Sequence, residues 1–139
     1  MRIPTPRDEA YRWHTEALKG VYGDADAPHP DEPQCGWFKR TLARGGVFVP
    51  ARIWLFQDVD PKTGQLLDDE LLQCEVDGMR RDAYDEWSWL CRNPITEAEF
   101  DYLTALRRHA VQHEPDLPIA NPRKPVDWLR APLPQFRKD

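Results

Sequence analysis

The sequence has no long apolar run, only two methionines, and no glycine-rich loop of the kind that cradles phosphates or dinucleotides. No stretch approaches the roughly 20 apolar residues of a membrane-spanning helix, and the first residues lack the apolar segment of a secretory leader. No nucleophile motif of a hydrolase is present either. We therefore expect a cytoplasmic protein that is not an enzyme, carries no cofactor and does not enter a membrane.

Cysteine is also scarce. Cys35, Cys74 and Cys91 are widely separated and form no Cys-x-x-Cys pair. An odd number of thiols without metal-ligand spacing is typical of free cysteines in a reducing compartment. We expect a buried structural role for each of them, and they predict no metal site.

Acidic and basic side chains are unevenly distributed along the 139 residues, whose net charge is −5. Residues 58–101 carry 13 acidic and 4 basic side chains, whereas residues 102–139 carry 7 basic and 4 acidic ones. Residues 36–56 contain no acid and four basic side chains, which are Lys39, Arg40, Arg44 and Arg52. Such a basic segment within an acidic protein favours binding to a charged partner.

Proline, with 14 residues, is unusually frequent, and it clusters at the N-terminus and at residues 28–33 and 115–134. Since proline fixes φ and lacks a donor, these stretches should be looped or extended. The length and the 40% hydrophobic content fit one globular domain. We predict a single domain over residues 1–139, with a loop at 23–34 and an extended proline-rich tail at 115–139.

Helix start signals occur near both ends of the chain. Thr5-Pro6 predicts a helix that runs to about Lys19 with Thr5 as its N-cap. Thr96 followed by Glu99 is a capping box and predicts a second helix that runs to about His113. Its predicted buried side is Phe100, Leu103, Leu106 and Ala110. Between them, Asp82 should cap a shorter helix at residues 84–92.

The central part of the chain has the two-residue periodicity of strands. Residues 35–43 and 47–57 flank Gly45-Gly46, a pair that favours a type I′ hairpin turn because both positions need positive φ. Further strands are predicted at residues 71–76 and 79–81, joined by a tight turn. The fold class is therefore α+β: a small antiparallel sheet of three to four strands around a central β-hairpin, with the N-terminal and C-terminal helices packed on it.

A turn centred on Gly45-Gly46 places Phe38 opposite Ile53 and Trp37 opposite Trp54. Since side chains alternate, one face becomes apolar and forms the core. The apolar face comprises Phe38, Leu42, Val47, Val49, Ala51, Ile53 and Leu55. The other face comprises Trp37, Lys39, Thr41, Phe48, Pro50, Arg52, Trp54 and Phe56.

The mixed aromatic and basic face is the candidate binding site, with Trp37, Lys39, Arg52, Trp54 and Phe56 as its residues. Its rings could stack on bases while the cations meet phosphates, or the face could hold a peptide or a methylated amine. The alternative is that a helix covers this face, in which case both tryptophans belong to the core and the cations extend past it.

His109 and His113 are four residues apart, a spacing that can hold a transition metal. The zinc-protease pattern needs Glu directly after the first His, and that position is Ala110. Hydrolytic zinc chemistry is therefore excluded. Two solvated histidines near a helix C-terminus are favoured over a plain metal site.

Six segments stand out along the chain: GWFKR (36–40), GG (45–46), VPARIW (49–54), DPKTG (60–64), NPITEAEF (93–100) and NPRKPVD (121–127). In this order they resemble a family of small uncharacterised proteins of tailed bacteriophages and prophages of proteobacteria. The resemblance implies an accessory protein of phage origin inside the host cell. The family carries no assigned chemistry, so it implies no site residue.

Three functions follow as hypotheses. The first is a non-enzymatic, phage-derived accessory protein that binds a host or phage protein. In one form of this hypothesis, residues 58–101 imitate the charge of nucleic acid. The second is a nucleic-acid-binding module that uses the aromatic and basic face of the hairpin. The third is a metal-binding protein or enzyme built on the histidine pair.

Overall fold

The computed structural model describes residues 2–20 and 32–127. These residues form four strands, four α-helices and one 3-10 helix. The elements are α1 (Arg7–Ala10), α2 (Arg12–Leu18), β1 (Gly36–Thr41), β2 (Phe48–Phe56), β3 (Leu71–Val76), β4 (Met79–Arg81), α3 (Ala83–Leu90), α4 (Glu97–His113) and a 3-10 helix at Pro118–Ala120. Most of the predicted loop at 23–34 and the tail beyond residue 127 lie outside the described residues. None of the described helices is both long and apolar enough to cross a bilayer.

The strands form one antiparallel sheet in the order β1-β2-β3-β4. Helices α2 and α3 lie on the face that bears Phe38 and Ile53, here called the inner face. Helix α4 lies on the opposite, outer face, since its Glu99 pairs with the outward Lys39. This arrangement confirms the predicted α+β class.

The main core lies between the inner face and helices α2 and α3. Phe38 and Trp87 are fully buried, and Trp13 contacts both rings at centroid distances of 6.1 and 5.0 Å. A smaller apolar cluster joins α4 to the segment after it. It contains Leu106, Ala110, Leu117 and Ile119, with Val47 packed against them. Val47 therefore belongs to this cluster and not to the main core.

The predicted hairpin register is wrong by two residues. Phe38 lies opposite Ala51 instead of Ile53, and Trp37 lies opposite Arg52 instead of Trp54. The turn explains the difference. It spans residues 43–46, is closed by the Gly46 N–H on the Ala43 carbonyl at 2.9 Å, and needs positive φ only at Gly45, as in a type II turn. A shift of two residues preserves the alternation, so the two faces are as predicted.

Contacts from the C-terminal segment hold this wider loop in place. The Val126 N–H donates to the Gly45 carbonyl at 2.9 Å. A Cβ on Gly46 would lie 2.8 Å from the Pro122 carbonyl oxygen. The described part of the tail is not wholly extended as predicted, because Leu117 and Ile119 are buried in the cluster at α4 and Pro118–Ala120 forms a 3-10 helix.

The edge of β1 that does not pair with β2 is covered by a later segment of the chain. The Lys39 N–H donates to the Asn93 carbonyl at 3.1 Å, and the Ile95 N–H donates to the Trp37 carbonyl at 3.0 Å. His14 Nε2 lies 2.8 Å from the Ile95 carbonyl oxygen and 3.0 Å from that of Trp37. Helix α2, β1 and the segment around Pro94 are therefore joined at one edge of the sheet.

The N-terminal helix is broken where the sequence predicts continuity. Tyr11, with φ −100° and ψ 10°, separates α1 from α2. Thr5 does not cap the helix, because its hydroxyl donates to the Glu70 carboxylate at 2.8 Å. The cap at Thr96 is confirmed, since its hydroxyl accepts from the Glu99 N–H at 3.0 Å. The cap at Asp82 is confirmed as well.

The buried side of α4 is narrower than predicted. Leu106 and Ala110 are buried, whereas Phe100 and Leu103 are half-buried. Phe100 lines a groove between α4 and the sheet, which leaves part of its ring accessible. Cys91 differs in the same way, since it is half-buried and not buried like the other two thiols.

Candidate functional site

The outer face of the sheet is covered at one end and open at the other. Helix α4 covers the end near the hairpin loop, where Lys39 pairs with Glu99 at 3.7 Å. The Tyr11 ring stacks on Trp37 with centroids 5.1 Å apart. Among residues 2–20 and 32–127, no comparable contact covers Phe56, which is 50% exposed at the far end of β2. The predicted aromatic face is therefore divided into a covered part and an open part.

Trp54 is the central residue of the open part, and two arginines contact its ring. The guanidinium carbons of Arg52 and Arg80 lie 4.3 and 4.7 Å from the ring centroid. Both guanidinium groups also pair with Glu75, at 3.2 and 4.0 Å. The register explains this arrangement, because Glu75 on β3 lies opposite Arg52 on β2 and opposite Arg80 on β4.

An exposed apolar pair lies beside Trp54. Phe56 and Leu71 are opposite one another in the β2–β3 register, and they are 50% and 55% exposed. Both have the same outward parity as Trp54. The open part of the sheet therefore joins an indole, two guanidinium groups and an apolar pair on one surface.

A groove of about 360 Å³ continues this surface towards α4. Its apolar walls include Pro50, Phe100 and Val111, and its polar walls include Arg108 and Glu75. Since Glu75 lines the groove and also pairs with both arginines at Trp54, the two regions are continuous. We name them together the outer-face site: Arg52, Trp54, Phe56, Leu71, Glu75 and Arg80, with the groove.

The basic segment of the hairpin is largely neutralised within the protein. Lys39 pairs with Glu99, Arg40 with Glu86 and Arg52 with Glu75. All three acids come from residues 58–101, the acidic part of the sequence. The basic side chains of the hairpin thus form ion pairs with acidic side chains of the elements packed around it.

The five residues predicted as a binding site are therefore not all together. Arg52, Trp54 and Phe56 lie on the open part of the outer face. Trp37 is half-buried beneath Tyr11, with the His14 ring edge-on at 5.4 Å. Lys39 is directed to the covered end, over the Phe48 ring at 4.9 Å.

Of the two histidines predicted to be solvated, His113 is exposed as predicted and His109 is not. His109 is half-buried, and its Nε2 lies 2.8 Å from a carboxylate oxygen of Glu114. The His113 ring lies 5.2 Å from the His109 ring. Within residues 2–20 and 32–127, no three His, Cys, Asp or Glu side chains are grouped so that they could hold a metal ion.

The two buried thiols are poor nucleophiles. Burial raises the pKa of Cys35 to about 11 and the pKa of Cys74 to about 12. Reaction at sulfur needs the thiolate, which these values make scarce at neutral pH. Burial also raises the pKa of Cys91. Cys35 and Cys74 therefore fit the buried structural role predicted for them, whereas Cys91 is only half-buried.

Sequence reasoning missed Glu75, Arg80 and Leu71, because it followed only the hairpin. The alternation of β3 contained a signal for Glu75, because Cys74 and Val76 point inward and Glu75 between them points outward. The groove had no such signal, since it depends on where α4 crosses the sheet. Comparisons with family models, with curated proteins and with solved structures gave no match.

Proposed function

We propose that this protein is a non-enzymatic accessory protein that binds another protein through the outer-face site. The observation that carries the proposal is Trp54, whose ring is contacted by two guanidinium groups at 4.3 and 4.7 Å on an open sheet surface beside an exposed apolar pair. Tryptophan and arginine are enriched among the residues that dominate binding energy at protein interfaces. The ring is positioned before binding, so little side-chain freedom is lost on contact.

The charges of the site favour an acidic partner segment. Arg52 and Arg80 share the single carboxylate of Glu75, and Arg108 is exposed at the groove. Three guanidinium groups against one carboxylate leave a formal charge of +2. The groove, at about 360 Å³, has room for one or two apolar side chains. The partner is therefore a protein segment in which apolar residues alternate with Asp or Glu.

The same contacts favour protein binding through the outer-face site over nucleic-acid binding and over an acidic mimic of nucleic acid. Stacking of bases needs free ring faces, and the rings of Trp37 and Trp54 are already contacted by Tyr11 and by two arginines. An acidic mimic of nucleic acid needs free carboxylates, and five acids of residues 58–101 are paired with Lys or Arg. These acids are Asp69, Glu75, Asp77, Glu86 and Glu99. The resemblance to phage proteins adds to the proposal that the partner is a host or phage protein.

The experiment is selection of a displayed random peptide library on the immobilised protein, followed by affinity measurement of the enriched peptides. We expect enrichment of peptides that combine acidic and apolar residues. Their affinity should fall at least tenfold for Trp54→Ala, the size of effect seen when a central aromatic residue is removed from an interface. Val111→Glu should weaken binding as well, because it places a negative charge in the groove, where it would repel the acidic side chains of the peptide.

Trp89→Ala is the matched control. Trp89 is 59% exposed and contacts the guanidinium of Arg40 at 4.8 Å, but it lies on α3, on the other side of the sheet. Its loss should leave peptide affinity unchanged. Equal losses for Trp54→Ala and Trp89→Ala, or enrichment of basic peptides, would refute the proposal.

A further inference from the structure

A second surface lies at the hairpin loop, away from the outer-face site. The Gly45 carbonyl accepts the Val126 N–H at 2.9 Å, and a Cβ on Gly45 would lie 3.7 Å from the Pro125 ring. A Cβ on Gly46 would lie 3.4 Å from the Lys124 carbonyl oxygen. Arg44 on the loop and Arg123-Lys124 on the segment beside it are therefore brought to one corner of the molecule, here called the basic corner.

The three cations of the basic corner differ from the other cations of the hairpin. Arg44, Arg123 and Lys124 are all exposed. Among the described residues, none of the three forms an ion pair, whereas Lys39, Arg40 and Arg52 each do. Asp127, also exposed, is the acid nearest in the chain and reduces the formal charge of the corner to +2. Folding thus neutralises the strands of the hairpin and leaves the positive charge at its loop.

We propose that the basic corner binds the phosphate backbone of single-stranded nucleic acid. This function is independent of the outer-face site and needs no stacking ring. Arginine guanidinium groups match phosphate oxygens with paired N–H donors. Pro122 and Pro125 flank Arg123-Lys124 and fix their own φ angles, which limits the freedom of the backbone that carries both cations. A flexible single strand can follow a corner that a straight duplex would touch only at one point.

A lipid surface fits the basic corner less well. Peripheral membrane helices and segments insert apolar side chains beside their cations. Here Pro122 is buried and Val126 is half-buried, so neither is available for insertion. An acidic protein would match the charge, and competition in the experiment below separates it from nucleic acid.

The test is fluorescence anisotropy of labelled oligo(dT) titrated with the protein at low and at moderate salt. With three phosphate contacts, the logarithm of the affinity should fall with the logarithm of salt at a slope of about −2, since single strands give about −0.7 for each contact. The triple variant Arg44→Ala/Arg123→Ala/Lys124→Ala should bind at least about tenfold more weakly at low salt. Each single variant should cause a smaller loss.

The matched control removes three exposed cations elsewhere, as Arg12→Ala/Arg81→Ala/Arg92→Ala. It changes the net charge equally, so it should weaken binding far less than the first triple variant if the corner is the site. Circular dichroism of both variants confirms that they are folded. The proposal is overturned if wild type fails to bind at low salt, if both triple variants lose affinity equally, or if poly-glutamate displaces oligo(dT) as effectively as unlabelled oligo(dT) does.

Discussion

Arg107 holds both carboxylate oxygens of Asp77, at 2.8 and 2.9 Å, and so joins α4 to the turn between β3 and β4. Asp77 has a φ of 53°, in the left-handed region of backbone conformation that residues other than glycine rarely adopt. The same guanidinium donates to the carbonyls of Ile119 and Ala120 at 3.2 and 3.0 Å. One side chain therefore connects α4, the β3–β4 turn and the 3-10 helix.

Arg107→Met should destabilise the protein by about 2–4 kcal/mol, because it leaves the half-buried Asp77 carboxylate without its partner. Asp77→Asn should cost less than Asp77→Ala, since Asn tolerates positive φ. Urea denaturation of the single and double variants measures the coupling between the two residues. Additive effects of Arg107→Met and Asp77→Asn would show that the ion pair contributes nothing.

Leu106→Ala should destabilise by roughly 2–5 kcal/mol, the range for removal of a large apolar side chain from a core. Leu106 is 8% exposed in the cluster beneath α4. Val111→Ala, at a 54% exposed position of the same helix, is the control and should change stability little. Thermal denaturation compares them, and similar melting temperatures for the two variants would contradict the assignment of the buried side of α4.

Gly36→Ala should destabilise by about 1–3 kcal/mol through overpacking. Its Cβ would lie 2.5 Å from Cδ2 and 2.7 Å from Cγ of the His14 ring, which is buried and cannot move away. Combining it with His14→Ala removes the clash, so the double variant should be more stable than the sum of the single effects predicts. A double-mutant cycle by chemical denaturation checks this, and strict additivity would be evidence against the clash.

Stability should decline as the pH falls below 6.5, the ordinary pKa of histidine, and His14 should be one cause. Burial lowers the pKa of His14 against the opposing effect of its backbone hydrogen bonds. The unfolded chain then takes up a proton at a pH where the folded chain does not, so acid favours unfolding. His14→Gln should reduce this pH dependence, whereas Val111→Ala, at an exposed position that does not titrate, should leave it unchanged. Denaturation midpoints measured from neutral to mildly acidic pH provide the comparison.

The sequence determined the parts of the fold that depend on local chemistry. The caps at Asp82 and Thr96 satisfy N–H groups of the residues that follow them, and the turn at Asp77-Gly78 needs two residues that accept positive φ. The assignment of faces in the hairpin survived the wrong register, because alternation has a period of two. These features need no knowledge of distant contacts.

Features that depend on distant contacts could not be predicted. The conformation of the hairpin loop depends on contacts with the segment around Pro122 and Val126. Thr5 hydrogen-bonds to Glu70 instead of capping its helix. In the outer-face site, Arg52, Trp54 and Phe56 were identified from alternation along β2. Glu75 and Arg80 were not, since they reach Trp54 only through the pairing of β3 with both neighbouring strands.

The covered edge of β1 has a consequence for the order of events during synthesis. Its partner segment, Asn93–Ile95, is synthesised after both β1 and β2, so β1 can pair with β2 before that segment exists. In the interval, one edge of the growing sheet presents unpaired N–H and C=O groups to other nascent chains, a template for aggregation. Chains that end at Arg92 should therefore aggregate where the whole chain does not, as light scattering during cell-free translation would detect. Synthesis of Ile95 also supplies the carbonyl that lies 2.8 Å from His14 Nε2, so this contact of α2 can form only after Ile95 has been made.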